Sequence, residues 1–198
     1  RVVYYPALKE LFLGTMSEKA ITPSDIHQYW FSEKSKRHWF SSTPEVDNEI
    51  KQRYENLWES ISSGGFVEWR DTAEGSVALI IILDQFPLNM FRGQAKSFKS
   101  EDMAVEVALN AINNGYDEEL SDEKLLFLFM PLMHSENIDH QNLQVYLFQK
   151  YNFNLEFSKH HRGIIKKFGR FPHRNEIFGR MSTMEELDYL LSDNAFRG

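Results

Sequence analysis

Four short segments place ionisable and hydrogen-bonding side chains beside apolar runs. In Asp84-Gln85-Phe86-Pro87-Leu88-Asn89-Met90-Phe91-Arg92-Gly93 an acid and an amide end an apolar stretch. Asp84, Gln85, Asn89 and Arg92 either tie down the loose carbonyls of a helix end and its turn, or line a polar site. In His134-Ser135-Glu136 the outer two residues suit an acid/base pair. Residues two apart on a continuous helix point away from each other, so the pair can cooperate only if Pro131 has broken the helix. The other reading is a new helix start capped by Ser135 or Glu136. His161 shares a helical face with Phe157, Ile164, Ile165 and Phe168, so it points inward as a satisfied core histidine or as a ligand; His160, about 100° around the helix, is expected outside.

The fourth segment, Phe168-Gly169-Arg170-Phe171-Pro172-His173-Arg174-Asn175, is the richest. Between Arg162 and Arg180 there are six Lys/Arg and one acid. A guanidinium offers a two-pronged fork to carboxylate or phosphate, so Arg170 and Arg174, with His173 and Asn175 beside them, suit an anion. Alternatively Arg170 and Arg174 pair internally with Asp84 and Glu136, because buried acids need such partners. The two readings are compatible, since a polar network can also line a pocket.

The elements that must position these residues are helical throughout. Thr43-Pro44-Glu45 is a helix start, with Val46, Ile50, Tyr54, Leu57 and Ile61 at helical spacing and Gly64-Gly65 as the stop. Residues 74–85 predict an almost wholly apolar, central helix ended by Pro87. Further helices are expected from Ser100 to Asn113, from Ser121 to Met130, from Ile138 to Tyr151 and from Asn154 to Phe168. A capping box is expected at Ser182-Thr183-Met184-Glu185. No alternating strand pattern is present, so the class is all-α, a compact antiparallel helix array.

The chain has 198 residues, 42% hydrophobic and 26% charged, with net charge −7 and no cysteine. That composition excludes a disordered chain, a disulfide framework, a thiol nucleophile and Cys-ligated metal, and it fits a cytoplasmic location. The longest apolar runs, Val77–Leu83 and Leu125–Met133, are too short for a membrane span. Met16-Ser-Glu-Lys reads as a natural start. Residues 1–25 are therefore taken as an N-terminal extension, partly non-native, ahead of a single domain over 26–198. Phosphate-loop, dinucleotide and nucleophile-elbow motifs are absent. A Ser135/His134/Asp84 triad is disfavoured because adjacent Ser and His rarely align. No metal is assigned, although Glu136 and His140 stand four apart.

DQFPLNMFRG at 84–93, PLMHSE at 131–136, Gln141 and FGRFPHRN at 168–175, with Gly179-Arg180 and Ser182-Thr183, resemble the DUF924 family. The resemblance runs from about Ile26 to Phe196. It implies an all-α fold similar to the tetratricopeptide-repeat superfamily, and no established activity. At Leu88 the family usually carries an arginine, so any ligand contact made there is missing in this chain.

Two functions are consistent with these residues. The first is a polar pocket that binds a small anionic molecule bearing phosphate or carboxylate. Arg170 and Arg174 would hold the anion, with Asp84, Gln85, Asn89, Arg92, His161 and Asn175 around it. Acid/base chemistry would fall to His134, Glu136 or His173. The second is a tetratricopeptide-like module that binds a peptide in a groove lined by Trp30, Trp39 or Trp69, its polar network being structural. No cofactor, membrane or nucleic-acid partner is expected in either case.

Overall fold

A computed structural model describes residues 20–65 and 67–198. Residues 1–19, and with them Met16 and most of the expected extension, lie outside the described residues. The described residues form helices and turns with no strand. Helices α1 (Pro23–Trp30), α2 (Glu33–Lys36) and α3 (Pro44–Ser62) come first. A long central rod follows, made of α4 (Ala73–Ile80), a π-helical turn (Ile81–Gln85) and α5 (Phe86–Met90). Then come α6 (Glu101–Asn113), α7 (Asp122–His134), α8 (Ile138–Lys150), α9 (Leu155–Phe168) and α10 (Met184–Leu191). From α6 to α9 each helix packs on the next. None is long and apolar enough to cross a membrane.

The central rod runs further than its sequence suggests. Pro87 does not end it; the helix passes through the π-helical turn and continues to Met90. A proline inside a helix removes one N–H and crowds the carbonyl four residues back, here that of Leu83. That carbonyl instead accepts from the Ser100 hydroxyl, which in turn accepts from Trp58 Nε1 at 2.8 Å. All three residues are buried. Ser100 therefore opens α6 without capping it through its side chain. Likewise α7 runs through Pro131 to His134, four residues beyond the expected end at Met130.

One large apolar cluster joins α1 and α3–α8 around Ile80, Ile81, Phe86, Phe127 and Phe129. A second, smaller cluster of Ile164, Ile165 and Phe171 sits between α9 and α10, with Phe168, Tyr189 and Phe196 against it. Trp30 and Trp69 are buried and Trp39 is half-buried in the large cluster, which removes the expected exposed aromatic groove. Phe157, expected inside with His161, is 64% exposed, and His160 is half-buried. The capping box lies one residue later than expected, pairing Thr183 with Glu186.

Ser100→Ala orphans both the Leu83 carbonyl and the Trp58 indole N–H. Each buried unsatisfied group costs about 1–3 kcal/mol, against about 1 kcal/mol for an ordinary N-cap serine. Urea unfolding of Ser100→Ala is expected to show a loss of about 2–4 kcal/mol. A loss near 1 kcal/mol would reduce the hydroxyl to a cap.

Candidate functional site

The end of α7, the start of α6 and the loop after α9 meet around an open pocket of about 570 Å³. That volume suits a small molecule. Phe98 and Phe178 form its apolar walls. Glu101, Asp102, Ser135, Glu136, Asn137, His140 and Arg174 supply its polar lining. Ser135 Oγ and His140 Nδ1 lie 2.9 Å apart.

Arg174, on the 3-10 turn Pro172–Arg174, is 5% exposed. Its guanidinium lies over the rings of Phe98 and Phe171, 4.4 Å and 4.7 Å from their centres. One end donates to Glu101 Oε2 at 2.9 Å and the other to the His134 carbonyl at 2.8 Å. Burial pushes the Glu101 carboxyl up to about 7; Arg174 and His134 oppose the rise, while Asp84 and Glu136 add to it.

Behind the pocket, Asp84 is buried in the π-helical turn. One carboxylate oxygen lies 2.8 Å from His134 Nδ1 and the other accepts from Gln85 Nε2 at 2.6 Å. Burial opposes a charged His134, but the charge and hydrogen bond of Asp84 outweigh it, and the ring is held above its ordinary value. Because α7 is unbroken to His134, that residue and Glu136 separate. Glu136 accepts from Arg180 at 2.7 and 2.9 Å and from the Phe171 N–H at 2.8 Å. Burial raises its carboxyl, yet these donors leave it below its ordinary value.

The arginines do pair internally, though not with the expected acids. Arg170 forks onto Glu186 at 2.6 and 2.8 Å, and Arg174 meets Glu101. Arg170, first among the causes, holds Glu186 down at about 2. Arg92 reaches Asp47 at 2.9 Å with its side chain 60% exposed, and Asn89 donates to the Gln85 carbonyl. Asn175 is buried and donates to Ser182. His161 is buried and His173 half-buried, both packed on the rings of Phe171 and Phe196. Burial pushes each down to about 4.

Glu136 and Arg174 thus line the pocket, Asp84 and His134 stand behind it, and Arg92, Asn89 and Arg170 make their contacts elsewhere. Glu101, Asp102, Asn137, Phe98 and Phe178 line the pocket without having been expected there. Glu101 reads in the sequence only as the first turn of a helix. Its place follows from Ser100, whose long-range bond leaves no local signature.

Glu101 is expected to titrate near pH 7 by carboxyl-carbon NMR. A midpoint near 4.5 would overturn the assignment of a perturbed acid. Bulk stability is a blunter readout. Between about 4.5 and 7 the folded state holds the extra Glu101 proton, so stability falls as pH rises. Between about 4 and 6.5 the neutral His161 and His173 act oppositely, and stability falls as pH drops. Arg170→Ala, which strands buried Glu186, is expected to lower Tm while leaving the Glu101 midpoint in place.

A family model described as bacterial proteins of unknown function, DUF924, matches residues 26–194. A solved protein of unknown function from Agrobacterium tumefaciens is similar in structure. It is 34% identical, with a TM-score of 0.80, over 85% of this chain and 96% of that one. No curated protein matches. With most of its length matched by the family model and a solved structure of the same architecture at this identity, the chain belongs to the DUF924 family.

Proposed function

We propose that the pocket binds a small anionic molecule, a carboxylate or phosphate, on the Arg174 guanidinium while Glu101 is neutral. The observation that carries this is the position of Arg174. Among the described residues lining the pocket it is the one arginine or lysine, and its carboxylate partner there is Glu101 alone. Arg170, Arg180 and Arg92 are less available, since each already forks onto a carboxylate. A proton on Glu101 removes the competing charge and turns that carboxyl into a donor. Ser135, Asn137 and His140 stand ready as further hydrogen-bonding groups.

Any acid/base chemistry here falls first to Glu101. It borders the pocket and its midpoint lies near the pH at which a general acid is most useful. His134 supports it from behind, oriented by Asp84 through Nδ1. His173 is held neutral against Phe196 and is a weaker choice.

Calorimetric titration with inorganic sulfate and with acetate, whose own charges do not change between pH 6 and pH 8, tests this reading. Binding that needs a neutral group with a midpoint near 7 weakens about tenfold between pH 6 and pH 8. The expected result is that weakening, with a proton taken up on binding. Glu101→Gln is expected to bind with nearly the same affinity at both pH values. No binding at pH 6, or wild-type binding indifferent to pH, would overturn the proposal.

A further inference from the structure

The pocket holds a hydroxyl beside an imidazole. Ser135 lies in the turn between α7 and α8, and His140 stands on the first turn of α8. Both line the pocket, and Ser135 Oγ lies 2.9 Å from His140 Nδ1. His134, the chain neighbour of Ser135, is committed to Asp84, so the turn into α8 brings a different histidine to the hydroxyl. The Asn137 N–H donates to Ser135 Oγ at 3.2 Å and fills one lone pair of that oxygen. Among the described residues the hydroxyl proton then has one acceptor, His140 Nδ1. A neutral His140 with its own proton on Nε2 accepts that bond and is placed to take the proton. A serine that only shapes the turn needs the Asn137 N–H and no imidazole.

Two neighbours complete the arrangement. Asn137 Oδ1 accepts from the Asp139 N–H at 2.8 Å, while its Nδ2 makes no hydrogen bond among the described residues. That amide borders the same pocket and is a donor for an oxyanion. Arg174 donates to the carbonyl of His134, the residue before Ser135, which sets its guanidinium beside the serine in the chain turn.

We propose that Ser135 and His140 form a nucleophile–base pair that hydrolyses small esters carrying a carboxylate or phosphate. The anionic part of that substrate class rests on the binding reading above; the pair itself does not. Ser135 Oγ attacks the carbonyl carbon while its proton passes to His140 Nδ1, and the oxyanion receives the Asn137 amide. The bond to the alcohol oxygen breaks, and neutral Glu101 protonates the departing alkoxide. Water then attacks the acyl–serine and gives its proton to Glu101. Oγ leaves with the proton held by His140, and acid and alcohol are the products.

Diisopropyl fluorophosphate tests the pair, because it reads the nucleophile without needing a charged group. One adduct per chain is expected on Ser135 by peptide mass spectrometry, forming at least about a hundredfold more slowly in His140→Ala. Ser135→Cys gives this cysteine-free chain a single thiol. Iodoacetamide is expected to alkylate it with a pH midpoint below the ordinary thiol value of about 8.5, and adding His140→Ala is expected to restore that value. No adduct on Ser135, an adduct that forms as fast without His140, or an unshifted thiol midpoint would overturn the pair. The substrate class is read separately. Mono-p-nitrophenyl adipate is expected to show a kcat/KM about tenfold above that of p-nitrophenyl acetate. Equal values with Ser135 labelled would overturn the anionic substrate class and leave the pair standing. Sulfate binding without labelling would overturn the pair and leave the anion site standing.

Discussion

A proline in the middle of a buried helix leaves a carbonyl that must find another donor. The N–H that would close the ladder onto the Leu83 carbonyl does not exist at Pro87, and Leu83 is buried. The Ser100 hydroxyl supplies the bond and is itself held by the Trp58 indole. This one exchange sets the start of α6 against the central rod. It thereby delivers Glu101, the next residue, to the neighbourhood of Asp84 and His134. The π-helical turn belongs to the same adjustment. It carries Asp84 and Gln85, so the acid that orients His134 sits in the part of the helix where regular bonding is interrupted. Such turns recur at functional sites because they re-aim side chains that a regular helix would hide.

Glu186, Glu136 and Glu101 show how donor count sets the state of a carboxylate. Glu186 receives a two-pronged arginine and a backbone N–H, and it is held well below the ordinary range. Glu136 receives the same kind of set and is also lowered. Glu101 receives a single guanidinium N–H, with Asp84 and Glu136 adding like charge, and burial wins. Desolvation is repaid only where the geometry is two-pronged and the remaining lone pairs are filled. The difference between a structural tie and a titrating group here is one or two hydrogen bonds.

The helical class and most helix starts were legible because they are local. Thr43-Pro44 caps α3, and Asn154 and Gly169 bound α9 as the sequence suggests. The stops at Pro87 and at Met130 were misread for one reason. Proline disfavours a helix interior by an amount that tertiary bonds can offset, and the offsetting partner at Pro87 lies 13 residues away at Ser100. The same holds for the polar residues. Arg170, Arg174 and Glu136 were recognisable as chemistry-bearing side chains, and the need of buried acids for basic partners was clear. Which arginine meets which acid depends on how α9, α10 and the loop between them fold back, and no spacing encodes that. Phe157 faces water although its periodicity points inward; the small apolar cluster on α9 gathers Ile164, Ile165 and Phe168, in the second half of the helix.

The polar layer also explains how the C-terminal part stays in place. The cluster of Ile164, Ile165 and Phe171 is small beside the main core and has little apolar area with which to hold itself there. What ties the loop after α9 to the main core is chiefly polar: Arg174 to Glu101 and the His134 carbonyl, and Arg180 and the Phe171 N–H to Glu136. Each of these bonds crosses between α6 or the end of α7 and the loop after α9. The pocket lies on that boundary, so the groups proposed to hold a ligand are also those that join the two clusters. A ligand seated on Arg174 competes with one of the ties, the bond to Glu101, while leaving the bond to the His134 carbonyl. Glu101 gives up its partner at low cost, because burial already favours its neutral form.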